Sequence, residues 1–293
     1  MNNKAILGRL ALFLTAFIWG TSFVVLKNTL ESIGILWVLA IRFSISALLL
    51  ALVANRRLRQ MDRKAFRGSV IIGSFLAVAY IVQTFGLKYT TPGKNAFLTA
   101  TYCVLVPFLA WLIYKRRPGV HNILAALLCI SGIGFVSLSG VSSGFNRGDV
   151  LTLCCGLFYA LQIIAMEQYI KGGDALSISA VEFATAAVIC WVGALFFEPA
   201  PGALSGSLWL SILYLSVACT AICFFLQAWG MQYTSSSTAA VLMTLESVFG
   251  AVISVLFYHE PMTAKLIIGF VLIFFAVLLS ETGASLFTRK KRQ

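Results

Sequence analysis

Long stretches without a formal charge constrain this chain more than any other feature. Residues 10–26, 68–87, 95–114, 118–146 and 199–245 contain no Asp, Glu, Lys or Arg. A helix crossing the ~30 Å hydrocarbon core of a bilayer needs about 20 apolar residues, and each run, read with its flanks, supplies at least one such helix. A soluble domain would carry about 25% charged residues; here the share is 11%, against 60% hydrophobic. A soluble globular fold is excluded. The chain reads as an all-α, polytopic membrane protein.

Hydropathy and turn signals place ten spans, near 7–26, 33–54, 68–87, 95–114, 120–140, 149–170, 175–197, 207–230, 236–258 and 263–285. Lys4 and Arg9 before the first run resemble the start of a signal peptide. With nine further spans and no clear small-residue cleavage site, the run reads as the first span. With the N-terminus inside, the inner side receives Lys4, Arg9, Arg56, Arg57, Arg59, Arg63, Lys64, Arg67, Lys115, Arg116, Arg117, Lys171, Arg289, Lys290, Lys291 and Arg292. The outer side receives only Lys27, Lys88, Lys94, Arg147 and Lys265, and Arg42 lies within span two. This bias puts both termini in the cytoplasm. The net charge of +12 is therefore an orientation signal, and no nucleic-acid partner is expected. All seven cysteines fall inside spans with no metal-ligand spacing, so neither a metal nor a cofactor is expected.

The chain repeats itself. A shift of 144 carries Gln83 to Gln227, Gly86 to Gly230, Tyr89 to Tyr233, Thr90 to Thr234 and Tyr114 to Tyr258; a shift of 140 carries Arg42-Phe43 to Glu182-Phe183 and Trp19 to Tyr159. Each half, 1–143 and 144–293, then holds five spans. Five is odd, so the copies enter the membrane from opposite sides, as an inverted repeat around a shared midplane cavity.

Ala16-Phe17-Ile18-Trp19-Gly20-Thr21-Ser22-Phe23 resembles the opening motif of the EamA family of the drug/metabolite transporter superfamily. Gly86-Leu87-Lys88-Tyr89-Thr90 leading into Asn95-Ala96-Phe97-Leu98 does so too. Leu245-Glu246-Ser247-Val248-Phe249 and His259-Glu260-Pro261, followed by Gly269, resemble the matching region of the second repeat. The resemblance covers nearly the whole chain. It implies a ten-helix carrier of the bacterial inner membrane, usually an exporter of amino acids or other small metabolites. Two departures stand out: the family often has proline where this chain has Ser247, and span one lacks the glutamate of the small multidrug relatives.

Ionisable groups inside a bilayer are costly and default to functional candidates. Glu246 in span nine and Arg42 in span two sit near the midplane. At ~1.5 Å rise per residue their depths differ by only about 5 Å, within reach of an ion pair if their helices adjoin. Glu182 in span seven lies nearer the inner side; for it and Arg42, a polar tether between helices is the competing role to a gating pair. Lys27 and Glu167 lie near span ends, where snorkelling accounts for them. Gln83 and Gln227 form a symmetric pair able to address one cavity from two sides, the competing role being to join helices without touching substrate, since amides in hydrocarbon need partners. Ser216, Thr220, Phe224 and Gln227 of span eight fall at i, i+4, i+8 and i+11, one face of a helix. Trp19, Tyr80, Tyr102 and Tyr159 occupy helices that line the cavity if the family architecture holds, and Tyr102 aligns with Glu246. Pro107 should bend span four.

These residues suit a secondary transporter of small molecules working by alternating access, with protons as a candidate coupling partner through Glu246. An uncoupled facilitator or channel is the alternative. A membrane-embedded enzyme is remote: Asp62, Asp149 and Asp174 read as loop residues, His121 and His259 lie near span ends, and no phosphate-binding loop appears.

Overall fold

The computed structural model describes residues 3–115, 117–138, 146–169, 174–234 and 236–289. The boundary expected at 143/144 and the basic residues Arg116, Lys171, Lys290, Lys291 and Arg292 lie outside them. The helices are α1 (Asn3–Thr29), α2 (Ile35–Leu58), α3 (Arg63–Tyr89), α4 (Pro92–Ala100), α5 (Tyr102–Tyr114), α6 (Val120–Ser137), α7 (Arg147–Tyr169), α8 (Ala175–Phe197), α9 (Gly206–Leu213), a π-helical segment (Tyr214–Ile222), α10 (Cys223–Gln232), α11 (Ser236–Tyr258) and α12 (Ala264–Arg289). No strand occurs among the described residues. Among the described residues, eight helical segments are long and apolar enough to cross a bilayer, and Val120–Val136 and Ala264–Ser280 are shorter apolar helices. Large apolar side chains such as Leu52, Leu127, Leu195, Phe197 and Leu256 are exposed around the bundle, as lipid contact requires.

Two expected spans are not regular helices. Span four breaks at Thr101, ahead of Pro107, where the Thr101 hydroxyl donates to the Leu98 carbonyl at 2.7 Å. Pro107 lies inside α5 and cannot donate to the carbonyl of Cys103. Ser280 of α12 donates to that carbonyl instead, at 3.0 Å. Span eight carries the π-helical segment, whose hydrogen bonds run to the fifth residue back. There the Thr220 hydroxyl donates to Leu215 O at 2.8 Å. Two carbonyls of the segment take donors from other helices: Trp19 Nε1 reaches Cys219 O at 2.7 Å and Ser46 Oγ reaches Ser216 O at 2.8 Å. The uniform face expected for Ser216, Thr220, Phe224 and Gln227 is consequently split. Ser216 and Thr220 are buried, and only Phe224 and Gln227 reach the central cavity.

Helix pairs approach closely where glycines meet. A Cβ on Gly148 of α7 would lie 2.7 Å from the Gly86 carbonyl of α3, and one on Gly230 of α10 would lie 2.8 Å from the Gly8 carbonyl of α1. Only a missing side chain permits such backbone contact. Gly8 and Gly148 are 140 apart, and Gly86 and Gly230 are 144 apart, so the second contact is the counterpart of the first. Across the centre, α2 packs on α8 with Phe43 stacked on Phe183, ring centroids 5.9 Å apart and planes 9° from parallel.

The two ends of the bundle are held differently. At the end carrying Arg56–Arg67, Arg57 pairs with Asp174 at 2.9 Å, and both side chains are solvent-accessible. At the opposite end, polar contacts are buried. Asp149, expected in a loop, lies in the first turn of α7 and is fully buried; Lys94, expected on the outer surface, is equally buried and pairs with it at 2.6 Å. Thr90 Oγ1 also donates to Asp149, at 2.5 Å. α2 starts without a side-chain cap of its own. The Glu198 carboxylate supplies one, accepting from Leu36 N at 3.0 Å and Trp37 N at 3.3 Å.

Candidate functional site

A cavity of about 510 Å³ lies between α1, α2, α3, α4, α5, α7, α8, α10 and α11. It runs from Ala175 and Met231, at helix ends on the arginine-rich side, to Leu26 and Leu87 near the opposite ends. Ala175 is exposed, whereas Leu26 and Leu87 are buried. The mouth is thus at the arginine-rich end and the floor at the other.

Nine of the ten residues singled out from the sequence line this cavity: Trp19, Arg42, Tyr80, Gln83, Tyr102, Tyr159, Phe224, Gln227 and Glu246. Glu182 does not. It is fully buried on α8, where Gln162 Nε2 donates to its Oε1 at 2.7 Å, and its Oε2 has no hydrogen-bond partner among the described residues. Gln162 itself is on the wall, so Glu182 meets the cavity only through that amide.

The aromatic side chains on the wall form two groups, joined behind it by the Phe43–Phe183 stack. Tyr80 stands edge-on to Tyr159 at 5.7 Å and to Phe43 at 5.1 Å, Tyr102 tilts against Tyr159 at 5.8 Å, and Phe224 stands edge-on to Trp19 at 5.4 Å and to Phe183 at 4.9 Å. Edge-to-face pairs at such spacings lock ring orientations, so the walls are pre-shaped.

The two charged residues do not pair. Arg42 is almost fully buried, its Nε donates to Thr220 Oγ1 at 2.8 Å, and its guanidinium lies 5.0 Å from the Tyr80 ring centre. No ion pair joins it to Glu246 or Glu182 among the described residues. The expected Arg42–Glu246 contact is replaced by a hydroxyl and an aromatic face, since the π-helical segment presents Thr220 to α2. A cation on α2 and a carboxyl on α11 therefore stand separately in one cavity.

The two glutamines differ as well. Gln83 Nε2 donates to Thr99 Oγ1 at 3.0 Å and its Oε1 accepts from Tyr159 at 2.8 Å, whereas the Gln227 amide makes no hydrogen bond among the described residues. Sequence reasoning missed Gln162, Asn95, Thr99 and Ser22, all on the wall. Gln162 was findable: it follows Tyr159 by three residues on α7, one helical face. No group of three or more metal-ligating side chains occurs among the described residues.

Apolar helices around a closed-ended, partly charged cavity define a multi-pass membrane protein that handles small molecules. The EamA-like transporter family matches residues 6–138 and again 146–282, and the chain belongs to that family. It is 33% identical over 278 residues to an uncharacterized transporter of Archaeoglobus fulgidus, covering 94% of this chain and 86% of that one. It is 21% identical to the uncharacterized transporter YoaV of Bacillus subtilis, covering 98% of this chain and 99% of the other. A solved crystal structure superposes with a TM-score of 0.70 at 16% identity, covering 98% of this chain and 99% of that one, which is a likeness of fold. The transporter relatives and family place the chain with transporters rather than enzymes.

Proposed function

We propose that this protein is a secondary transporter that exports small metabolites such as amino acids, by alternating access between two inverted five-helix repeats, 1–143 and 144–293. The observation that carries the reading is the cavity bearing a guanidinium and a carboxyl that are not spent on each other. A zwitterion offers one complement to each, and the aromatic walls suit an apolar side chain beside them. In this reading Arg42 and Glu246 hold the charged ends, and Trp19, Tyr80, Tyr102, Tyr159 and Phe224 enclose the remainder. Gln83 and Gln227 shape the two sides, and Glu182 positions Gln162.

The inverted repeat is supported by contacts that exchange under the sequence shift. Gly8 on Gly230 answers Gly148 on Gly86, Trp19 on Phe224 answers Tyr159 on Tyr80, and Phe43 stacks on its own counterpart, Phe183. The family's two successive matches support the same division. Ten helices then cross the cell membrane with both termini in the cytoplasm, and the described state is open to the cytoplasm. Ser205→Cys, at the exposed start of α9 in a chain with Cys154 replaced by serine, should react with an impermeant maleimide from outside intact cells. Reaction only after lysis would reverse the orientation.

The function itself is tested by reconstituting the protein in liposomes and offering radiolabelled amino acids and nucleosides. Accumulation driven by an imposed pH gradient supports a coupled carrier. Equilibration that ignores the gradient points to a facilitator, and no flux of any zwitterion above empty liposomes refutes the reading.

A further inference from the structure

The corner between α3 and α4, residues 87–93, is gripped from both sides by charges of the sign that each helix end prefers. Lys27 of α1 does not snorkel outward. Its ammonium donates to Leu87 O at 2.6 Å, Thr90 O at 2.9 Å and Lys88 O at 3.0 Å. All three ammonium donors are thereby placed on the carbonyl-rich C-terminus of α3, the negative end of its dipole. Two residues later α4 begins, and its N-terminus receives the carboxylate of Glu260. That carboxylate accepts from Thr91 Oγ1, from Gly93 N at 3.0 Å and from Ser254 Oγ at 2.5 Å. Glu260 is 4% exposed.

Lys27 lies on α1 and Glu260 just beyond α11, and α11 itself packs on the α4 half of the corner, where a Cβ on Gly250 would lie 2.7 Å from Ala96. α1 is tied to α10 by the Gly8–Gly230 contact, while α3 and α4 are tied to α7 by Gly86–Gly148 and by the Lys94–Asp149 pair. Elsewhere the cavity lies between α1, contributing Trp19, Ser22 and Leu26, and α3, contributing Tyr80, Gln83 and Leu87. Lys27 follows Leu26, and the carbonyl it grips most tightly is that of Leu87. The contact sits directly beneath the cavity floor.

We propose that Lys27 and Glu260 are the gate residues that keep the cavity closed at the end opposite its mouth, and that opening to that side proceeds by release of the α3–α4 corner from both. The proposal rests on the carrier reading only for the purpose of the opening. Its test needs no substrate, so it fails or stands apart from that reading.

Ser22→Cys places a reporter in the cavity next to the floor, in a chain with Cys154 replaced by serine. In sealed, uniformly oriented vesicles, an impermeant maleimide is applied from the closed side, with the same chain lacking the reporter as baseline. Lys27→Met and Glu260→Gln should each raise the labelling rate about tenfold, the population change that about 1.4 kcal/mol produces. Lys27→Arg, which keeps the cation and its donors, should stay near the starting rate. A purely structural role would lower the melting temperature without changing the side from which the reporter thiol is reached. Folded Lys27→Met or Glu260→Gln protein with unchanged labelling from the closed side overturns the proposal. Should the lysine variant not fold, the glutamine variant decides alone, because it keeps the shape and hydrogen-bonding reach of Glu260.

Discussion

The Tyr159 hydroxyl donates to Gln83 Oε1 at 2.8 Å while Gln83 Nε2 donates to Thr99 Oγ1 at 3.0 Å. The amide thus ties α7 to α3 and α3 to α4 at the cavity wall. Its counterpart Gln227 holds no such bonds among the described residues, so equivalent sequence positions have diverged into a brace and a free amide.

Leucine at each position separates these uses. Gln83→Leu removes the acceptor of the part-buried Tyr159 hydroxyl and leaves Thr99 Oγ1 only Cys155 Sγ at 3.8 Å, and a lost hydrogen bond costs about 0.5–1.5 kcal/mol; both the melting temperature in detergent and transport should fall. Gln227→Leu should leave melting unchanged and lower transport alone. Equal thermal loss in both variants would show that the two amides serve the same structural purpose.

The Lys94–Asp149 pair has no exposed surface. Removing one member of a buried pair leaves an uncompensated charge and costs about 3–5 kcal/mol, whereas replacing both with apolar residues of similar volume is often neutral. Lys94→Met should therefore unfold in milder denaturant than the parent, and Lys94→Met with Asp149→Leu should recover much of the loss. Thr90 Oγ1 loses its acceptor in the double variant, so recovery stays incomplete. A double variant as unstable as the sum of the singles would mean that the pair is not the source of the cost.

The helical character and the cavity-lining residues were legible because apolar run length and buried polar groups are local signals. Glu246 stands out in a run of uncharged residues, whereas Trp19 and Tyr80, two of many aromatics, are singled out by the family resemblance. The π-helical segment was not legible: nothing in Tyr214–Ile222 marks it locally, and it is held by Trp19 and Ser46 from distant helices. For the same reason Arg42 was matched to the carboxyl at its own depth, when its partner is a hydroxyl presented by that irregular turn. Lys27, Lys94 and Asp149 were misread because they sit at span ends, where charge normally faces water. Only the tertiary placement of α7 against the α3–α4 corner buries Lys94 and Asp149, and that of α1 brings the half-buried Lys27 onto the corner's carbonyls.

Asp174 caps α8, accepting from Ser177 N at 3.0 Å, Ser177 Oγ at 2.8 Å and Arg57 Nη1 at 2.9 Å. Partial burial raises its carboxyl, but the Ser177 bonds and Arg57 outweigh that and hold it below the usual carboxylate range. A carboxyl depressed in the folded state adds stability above its unfolded value of 3.8, and that stability disappears as pH falls through the lower folded value. Asp174→Ala should cost about 1 kcal/mol at neutral pH, as lost caps do. The difference from the parent should shrink below pH 4 in denaturant titrations. A gap that stays constant down to pH 2 would assign the effect to packing rather than to the ionised cap.

In the proposed carrier, Glu246 is the group that would couple transport to protons. An ionised carboxyl within a bilayer is costly unless it has a counter-charge, and no cation pairs with it among the described residues. Arg42, the one cation lining the cavity among the described residues, is engaged by Thr220 and the Tyr80 ring. A proton or the ammonium of a substrate is then what neutralises Glu246, and the two compete for one group. Under the proposed alternating access, exposure of that group to the two sides would link substrate movement to proton movement in the opposite direction. Glu246→Gln keeps the shape and hydrogen-bonding capacity but removes the ionisation. Liposomes carrying it should still exchange labelled for unlabelled substrate, with weakened affinity, and should no longer accumulate substrate against its gradient when a pH gradient is imposed. The pH dependence of substrate affinity, present in the parent, should flatten. Accumulation at the parent level by Glu246→Gln would remove the carboxyl from coupling and leave Arg42 and the aromatic walls to bind substrate without it.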